Sequence, residues 1–195
     1  MKKNPTQTEA TRETFKSAFW RLYGQKPIDR ITVKEITDIA GYNRGTFYVY
    51  YKDVYDVLEQ IEQEIIDEYY IRSEIIPKMA NDTLEWSKDL EVFIQFYDKY
   101  ESYISVLLGQ QGDPSFTHKF KEAIKKRFLE SFDHSGHKDE YILEYIASAQ
   151  VGMISFWFRQ GKKIPIGEMI SLTKDIMFEG AIKVFIEKDR SRKAF

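Results

Sequence analysis

The fold of the N-terminal region is decided by the stretch Thr32-Val-Lys-Glu-Ile-Thr-Asp-Ile-Ala-Gly-Tyr-Asn-Arg-Gly-Thr-Phe-Tyr-Val-Tyr-Tyr-Lys52. Thr32, with Glu35 three residues later, has the spacing of a capping box, which starts a helix. Gly41 is suited to end that helix in the left-handed conformation, and Asn43 caps a second, shorter helix. Two short helices around a glycine turn are typical of a helix-turn-helix, whose second helix enters the major groove of DNA.

A recognition helix presents its first turn to base edges and is flanked by groups that bind phosphates. Arg44 suits the first task, because a guanidinium group donates two hydrogen bonds to guanine O6 and N7. Gly45 carries no side chain and permits a close approach of the backbone to DNA. Tyr48 and Lys52 suit phosphate binding, as do the free amides at the helix start near Thr32. The predicted DNA-binding residues are Thr32, Val33, Tyr42, Asn43, Arg44, Gly45, Thr46, Tyr48 and Lys52.

The rest of the chain also has the apolar periodicity of helices, with no alternating pattern bounded by hairpin turns. The sequence therefore predicts an all-α fold: an N-terminal three-helix domain with the helix-turn-helix, followed by a helical C-terminal domain for dimerisation and regulation. The predicted helices outside the motif cover residues 8–23, 53–76, 83–98, 101–108, 115–131, 139–160 and 167–187.

Apolar spacing also predicts which helix faces are buried. The helix after Thr32 is expected to bury Val33, Ile36, Ile39 and Ala40. The helix that starts at Asp53 is expected to bury Val54, Leu58, Ile61, Ile65 and Tyr69. In the recognition helix, Phe47 and Tyr50 are expected to pack against Phe19 and the buried face of the preceding helix.

Charge is divided unevenly along the chain. Residues 1–52 carry ten basic and five acidic side chains, a net charge of +5, and the remainder has a net charge of −7. A basic N-terminal region followed by an acidic remainder is typical of a DNA-binding module joined to a domain that does not bind DNA. The alternative is that the uneven charge arises by chance. The predicted domains are residues 1–52 for DNA binding and residues 53–195 for dimerisation and possible ligand sensing.

Composition disfavours several kinds of protein. The 195 residues include no cysteine, which excludes disulfides, thiolate metal sites and a cysteine nucleophile. The N-terminus lacks the apolar core of a signal peptide. The longest uncharged apolar-rich run, residues 145–158, is shorter than the roughly 20 residues that span a bilayer. We therefore expect a cytoplasmic protein.

Chemistry-bearing motifs are scarce, so we expect neither an enzyme nor a cofactor. The loop from Gly109 to Pro114 lacks the Gly-Lys-Ser/Thr ending of a phosphate-binding loop. His134 and His137 are two candidate metal ligands, but a third is not evident, and a solvated loop is the favoured interpretation.

A close resemblance to the DNA-binding domain of the TetR family of bacterial transcription regulators is carried by two segments. These are Ile31-Thr-Val-Lys-Glu-Ile36 and Gly41-Tyr-Asn-Arg-Gly-Thr-Phe-Tyr-Val-Tyr-Tyr-Lys-Asp53, within a similarity over residues 8–56. The resemblance implies phosphate contacts from Thr32, Thr46, Tyr48 and Lys52, and base or phosphate contacts from Tyr42, Asn43 and Arg44. The family more often has a small aliphatic residue at position 42, so the Tyr42 ring either covers the core or faces DNA.

The C-terminal part is similar, less specifically, to a subgroup of that family that resembles the dihydroxyacetone kinase operon regulator. The similarity is carried by Leu107-Leu-Gly-Gln-Gln-Gly-Asp-Pro-Ser-Phe116 and Lys119-Phe-Lys121. The resemblance to the TetR family as a whole implies a homodimer that binds a palindromic operator, as a repressor that a small ligand releases, whereas the regulator that names the subgroup is an activator. The alternative is a regulator or adaptor, including an activator, that responds to a protein partner.

The family resemblance implies that two C-terminal helices from each subunit form the dimer interface. The alternative is that both are internal core helices. The predicted interface residues are Ile142, Ile146, Ala149, Met153, Phe156, Ile170, Thr173, Met177, Ala181 and Val184.

An effector pocket lined by aromatic residues is a further expectation, with plain core packing as its alternative. The predicted ligand-binding residues are Trp86, Phe93, Tyr97, Tyr100, Tyr103, Phe116, His118, Gln150 and Trp157.

Overall fold

The computed structural model describes residues 5–74, 76, 78, 85–109, 112–132 and 138–180. Within these ranges the chain is all-α, as the sequence predicts, and contains no strand. One short 3-10 helix covers Ile28–Arg30. The α-helices are α1 (Pro5–Tyr23), α2 (Val33–Ala40), α3 (Arg44–Tyr48), α4 (Val54–Arg72), α5 (Trp86–Leu107), α6 (Pro114–Ser131), α7 (Asp139–Arg159) and α8 (Ile166–Glu179).

Packing divides the chain into two compact units, the first ending at Ile65 and the second beginning at Ile66. Helix α4 starts in the first unit and continues into the second. The first half of α4 buries Val54, Leu58, Ile61 and Ile65, as predicted. The functional boundary after Lys52 remains a prediction, because packing does not report where DNA binding ends.

The core of the first unit joins α1, α2 and α3 through fully buried side chains. Phe15, Phe19, Ile36 and Phe47 all have zero exposure. The ring of Phe47 meets Phe15 edge to face, with 5.5 Å between centroids. Such aromatic pairs add to the free energy gained from burial alone.

One prediction for α2 is wrong: Ile39 is 43% exposed. The buried residues of this helix are Ile36 and Thr37. Each residue turns a helix by about 100°, so the buried arc centred on these two positions leaves residue 39 on its far side. The polar side chain of Thr37 can be buried because its hydroxyl group donates a hydrogen bond to the Lys34 carbonyl oxygen at 2.9 Å.

Polar contacts join the first half of α4 to α1. The Arg12 guanidinium donates to Gln60 Oε1 at 2.7 Å. The buried ammonium of Lys16 pairs with Glu13 at 2.7 Å and with Glu64. Burial disfavours the charged ammonium, but the two carboxylates outweigh this effect and raise the pKa of Lys16 above its ordinary value. A buried charge needs such partners, because an ammonium left uncompensated in the interior is strongly destabilising.

Two helix bounds differ from those predicted from sequence. Helix α5 is continuous from Trp86 to Leu107, so the predicted break near residues 99–100 is wrong. Its buried residues Phe96, Tyr97, Tyr100, Ile104 and Leu107 keep helical spacing throughout, and no proline or glycine interrupts them.

Helix α4 ends at Arg72 rather than Ile76. Two side chains donate to carbonyl oxygens at this end of the helix. The Ser73 hydroxyl group donates to the Tyr70 carbonyl oxygen at 2.8 Å. The Arg127 guanidinium donates to the Ser73 carbonyl oxygen at 3.3 Å and so ties α6 to the end of α4.

The second unit packs α5 to α8 around aromatic and aliphatic side chains. The described residues between α5 and α6 include Gly109 and Asp113. A Cβ atom at Gly109 would lie 2.1 Å from the Ser105 carbonyl oxygen, so only glycine fits there. Asp113 then caps α6 by accepting hydrogen bonds from the amides of Ser115 at 2.7 Å and Phe116 at 3.2 Å.

Candidate nucleic-acid interface

The start of α2 is fixed by the capping box that the sequence predicts. Thr32 Oγ1 accepts from the Glu35 amide at 3.3 Å, and the Glu35 carboxylate accepts from the Thr32 amide at 3.0 Å. Lys26 places its ammonium 2.6 Å from the same carboxylate. Because the first amides of a helix lack intrahelical acceptors, those of Val33 and Lys34 remain available to a phosphate.

Hydrogen bonds from Lys26 and Thr32 lower the pKa of Glu35 from its ordinary value of 4.5 to about 2. A depressed folded-state pKa means that the ionised carboxylate stabilises the folded chain. We expect this contribution to be fully present above pH 4.5 and to be lost as the pH falls from 4.5 towards 2. The check is the pH dependence of the free energy of unfolding in wild type and Glu35→Gln.

The difference between these two proteins should be constant above about pH 5 and should shrink in more acidic solution. Lys34→Gln is the matched control, because it removes a solvent-exposed ion pair with Asp38 (2.6 Å) on the same helix. A difference between wild type and Glu35→Gln that stayed constant down to pH 2 would show that Glu35 does not titrate as described.

Asn43 caps α3 as predicted. Its Oδ1 atom accepts from the Thr46 amide at 2.8 Å and from the Thr46 hydroxyl group at 3.1 Å. A Cβ atom at Gly45 would lie 3.2 Å from this same Oδ1 atom. Glycine therefore avoids crowding the cap, and position 45 in the first turn of α3 carries no side chain.

The two threonine hydroxyl groups expected to bind phosphate are thus engaged within the protein, because Thr46 Oγ1 donates to Asn43 and Thr32 Oγ1 donates to Glu35 at 2.8 Å. Three other donors are not. Within the described part of the chain, the side chains of Arg44, Tyr48 and Lys52 have no hydrogen-bond or ion-pair partner. All three are exposed.

Helix α4 begins beside these donors through a second set of backbone caps. The Lys52 amide donates to Asp56 Oδ2 at 2.7 Å, and the Asp56 amide donates to Asp53 Oδ1 at 2.9 Å. The caps fix the backbone of Lys52 while its ammonium stays in solvent. A fixed backbone with a free head group is suited to a phosphate contact.

Two apolar residues border this surface. The Tyr42 ring lies against Phe15, with 5.3 Å between centroids, yet remains 40% exposed. It therefore covers the core and leaves one edge free. Sequence reasoning missed Val49, which is 63% exposed beside Tyr48. Its position four residues after Gly45, on the outer face of α3, is the signal that would have found it.

The second unit contains a cavity of about 100 Å³. Of the predicted ligand-binding residues, it brings together Phe93, Tyr97 and Gln150. Sequence reasoning missed the remaining wall residues, Tyr69, Ile76, Phe120, Ile124, Phe128, Ile154, Met169 and Lys174. It placed Ile170, Thr173 and Met177 at the dimer interface, whereas the structure places them at this cavity.

The other predicted pocket residues lie elsewhere. Trp157 Nε1 donates to the Ile164 carbonyl oxygen at 2.8 Å, so its role is to fix the loop before α8. Phe116 stacks on Phe120 in the core, whereas His118 is exposed on a separate polar groove. Tyr100 is buried and Tyr103 half-buried, and neither lines the cavity.

Some predicted residues fall outside the described part of the structure. These are the side chain of Trp86, both loop histidines His134 and His137, and the dimer-interface residues Ala181 and Val184. The described residues hold no group of three metal-ligating side chains. They also include no helix that is long and apolar enough to cross a membrane.

Helix α7 presents an apolar face that none of the described residues covers. Ile142 is 54% exposed and Phe156 53% exposed, and Tyr145 between them is 68% exposed. Ala149 and Gly152 are exposed in the middle of this face, and Ile146 and Met153 are half-buried along its edge. The opposite face of the helix buries Ala147, Val151, Ile154 and Trp157.

Comparisons with known proteins bear on both units. Residues 85–179 match the TetR family model described as "Transcriptional regulator C-terminal region". An HTH-type transcriptional regulator of Bacillus subtilis (strain 168), YxbF, is 24% identical over 125 residues, which are 62% of this chain and 32% of that protein. The chain thus spans about a third of the length of this relative.

Solved structures share the fold. A TetR transcriptional regulator from Streptococcus agalactiae 2603V superposes with a TM-score of 0.60 and 16% identity, covering 86% of this chain and 93% of that one. The dihydroxyacetone kinase operon activator DhaS superposes with a TM-score of 0.58 and 18% identity, covering 87% of this chain and 94% of that one. The fatty acid degradation regulator FadR from Bacillus halodurans superposes with a TM-score of 0.61 and 15% identity, covering 93% of this chain and 98% of that one.

These proteins are transcriptional regulators rather than enzymes. The helix-turn-helix geometry of the first unit and the family match of the second lead to the same assignment. Residues 85–179 of this chain thus match the TetR family of transcriptional regulators, and the described chain has the fold of the TetR regulator whose structure is solved.

Proposed function

We propose that this regulator binds a palindromic operator as a homodimer through α2 and α3. The observation that carries the proposal is the set of donors Arg44, Tyr48 and Lys52, which have no partner among the described residues and lie exposed next to two capped helix starts. Arg44 reads a guanine, while Tyr48, Lys52 and the first amides of α2 bind phosphates. Such a regulator acts on the chromosome, which places it in the cytoplasm.

The partner in the homodimer is a second copy that packs on the apolar face of α7. Ala149 and Gly152 support this part of the proposal, because small side chains let two helices approach closely, and a Cβ atom at Gly152 would contact nothing within 4 Å. A closed two-fold pair buries this face on both copies and matches the symmetry of a palindrome.

The cavity of the second unit is the proposed effector site. Tyr69 of α4 forms part of its wall, and the same helix continues back to the caps beside Lys52. A ligand that favours one arrangement of α4 shifts the population of the dimer and changes the separation of its two recognition helices. A dimer that no longer contacts both half-sites at once loses the affinity gained from bivalency. We propose that this loss releases the operator and ends repression.

The experiment that tests the proposal is footprinting of the protein on the DNA around its own gene, followed by titration on the protected sequence. A protected site with two symmetric half-sites, bound by two chains, is the expected result. Protection without symmetry, or binding of one chain per site, would contradict the homodimer. Reporter expression from the bound promoter separates a repressor from an activator.

Lys52→Ala should weaken binding to every DNA sequence and lower the salt dependence of binding by about one phosphate, a change of about 0.9 in the slope of log affinity against log salt. The exposed ammonium of Lys52 has no partner within the described residues, so its removal changes little in the folded chain. Lys88→Ala is the control, since this exposed lysine pairs with Glu85 in the second unit. Equal slopes for Lys52→Ala and wild type would remove Lys52 from the phosphate-binding set.

A further inference from the structure

Gln60, a half-buried residue of α4, has a partner at each end of its side-chain amide. Its Oε1 atom accepts from the Arg12 guanidinium of α1 at 2.7 Å. Its Nε2 atom donates to Asp56 Oδ1, one turn earlier on α4, at 3.1 Å. The same nitrogen lies 3.5 Å from the Tyr50 carbonyl oxygen, just after α3. Gln60 therefore joins α1 and the start of α4 to the segment between α3 and α4.

The Asp56 carboxylate extends these contacts to Lys52. Its Oδ1 atom accepts from Gln60, and its Oδ2 atom accepts from the Lys52 amide at 2.7 Å. With both oxygen atoms engaged, the carboxylate cannot rotate without breaking one of the two hydrogen bonds. A continuous chain of hydrogen bonds thus runs from Arg12 through Gln60 and Asp56 to the backbone of Lys52.

The charges of its two neighbours fix the direction of the Gln60 amide. Arg12 supplies only donors, and the ionised carboxylate of Asp56 supplies only acceptors. A flipped amide would place its NH₂ group against the guanidinium and its oxygen against the carboxylate. Hydrogen bonds to ionised groups are stronger than neutral ones, so both contacts favour the observed direction. A lysine or a glutamate at this position would suit one neighbour and repel the other.

The Arg12 end of the chain of hydrogen bonds depends on Gln60. The Nε atom of Arg12 is buried and has no acceptor among the described residues. Buried donors are costly when unpaired, so loss of the Gln60 acceptor would leave a second nitrogen of this guanidinium short of a partner. The backbone of Arg12 also contacts the segment after α3, because its carbonyl oxygen accepts from the Tyr51 hydroxyl group at 3.4 Å.

We propose that Gln60 is a positioning residue for DNA binding, which acts through Asp56 to hold the backbone from which the Lys52 ammonium reaches a phosphate. The inference rests on the proposed function for the phosphate contact of Lys52. Gln60 itself touches no DNA in this arrangement. A lysine whose backbone is already held loses less conformational freedom on binding than one in a loosely held segment.

The first test needs no DNA. Gln60→Met keeps the length and charge of the side chain but removes its amide donor and acceptor. Hydrogen exchange of the Lys52 amide in the free full chain should become about threefold faster or more, because its acceptor Asp56 is no longer held. Ile61→Val is the control for general loss of stability, since Ile61 is a core residue of the same helix. Unchanged Lys52 exchange in Gln60→Met, or equal acceleration in Ile61→Val, would overturn the inference.

The second test measures binding to a DNA duplex of mixed sequence over a series of salt concentrations. Gln60→Met removes no charge, yet it should weaken binding by about threefold to tenfold. It should also lower the salt slope by part of the change of about 0.9 expected for Lys52→Ala. Gln63→Met is the matched control, the same substitution at an exposed position of the same helix. An unchanged slope in Gln60→Met, or an equal change in Gln63→Met, would contradict the positioning role.

The double variant, Gln60→Met with Lys52→Ala, shows whether one residue acts through the other. If Gln60 acts through Lys52, Gln60→Met should cost little affinity once residue 52 is alanine. An equal fold-loss with and without the lysine would mean that Gln60 affects DNA binding by another route, and would overturn the inference.

Lys52→Ala alone separates this inference from the proposed function. A slope equal to that of wild type contradicts the phosphate contact of Lys52, and faster Lys52 exchange in Gln60→Met then still supports the hold of Gln60 on this backbone. A changed slope in Lys52→Ala with unchanged exchange in Gln60→Met supports the proposed function and overturns the inference.

Discussion

Phe47→Ala is expected to lower the free energy of unfolding of the first unit by about 3–5 kcal/mol, and to abolish DNA binding with it. Phe47 is fully buried, and its ring contacts those of Phe15 and Tyr51, each with 5.5 Å between centroids. A cavity of that size in a unit this small removes a large share of a typical stability of about 5–15 kcal/mol. Hydrogen exchange measures the effect by segment: protection should fall in α1, α2 and α3 and persist in α6 and α7.

The neighbouring residue supplies the control. Tyr48 is 58% exposed, so Tyr48→Ala should change the unfolding free energy by no more than about 0.5 kcal/mol while still weakening DNA binding. Unchanged exchange in Phe47→Ala would mean that α3 is not held by this ring. If Tyr48→Ala destabilised the chain as much as Phe47→Ala, its effect on DNA binding would not identify a contact.

Arg44→Ala should cost about 1–3 kcal/mol of binding free energy on the operator and relax the preference for one base pair. The guanidinium lies in the first turn of α3, exposed and without a partner among the described residues, so the folded chain loses little when it is removed. Affinities for the operator and for sequences changed at single positions, all at one salt concentration, provide the measurement.

Arg44→Lys separates charge from geometry. Lysine keeps the positive charge but cannot donate two parallel hydrogen bonds, so affinity for random DNA should persist while base preference falls. An equal loss for Arg44→Ala on operator and random DNA would assign Arg44 to a phosphate instead.

Local chemistry made the first unit largely predictable. The capping box of Thr32 and Glu35, the left-handed Gly41 and the Asn43 cap depend on residues within a few positions of one another, and all three are confirmed. The prediction that Ile39 is buried was wrong. Burial on α2 depends on where α1 and α3 pack against it, and apolar spacing alone does not define that side of the helix.

The second unit was less predictable because its cavity is a tertiary feature. Phe120, Ile124 and Phe128 follow one another every four residues on α6, which from sequence is ordinary core spacing. Whether such side chains fill a space or surround one depends on what the facing helices contribute. Trp157 was predicted to line the pocket, but it instead donates a hydrogen bond to the loop before α8.

The apolar stripe of α4 has a consequence for how this protein can vary in length. The stripe Val54, Leu58, Ile61, Ile65 and Tyr69 is buried on both sides of the point where one compact unit gives way to the next. One residue inserted after Leu58 would turn the later side chains by about 100° around the helix axis, so Ile61 and Ile65 would leave the face that Val54 and Leu58 share in the first unit. Insertion of seven residues, close to two full turns, would nearly restore the stripe. Among natural variants we therefore expect the exposed positions of this helix to vary, the buried positions to stay apolar and the residue count to be kept, with insertions and deletions in the loops.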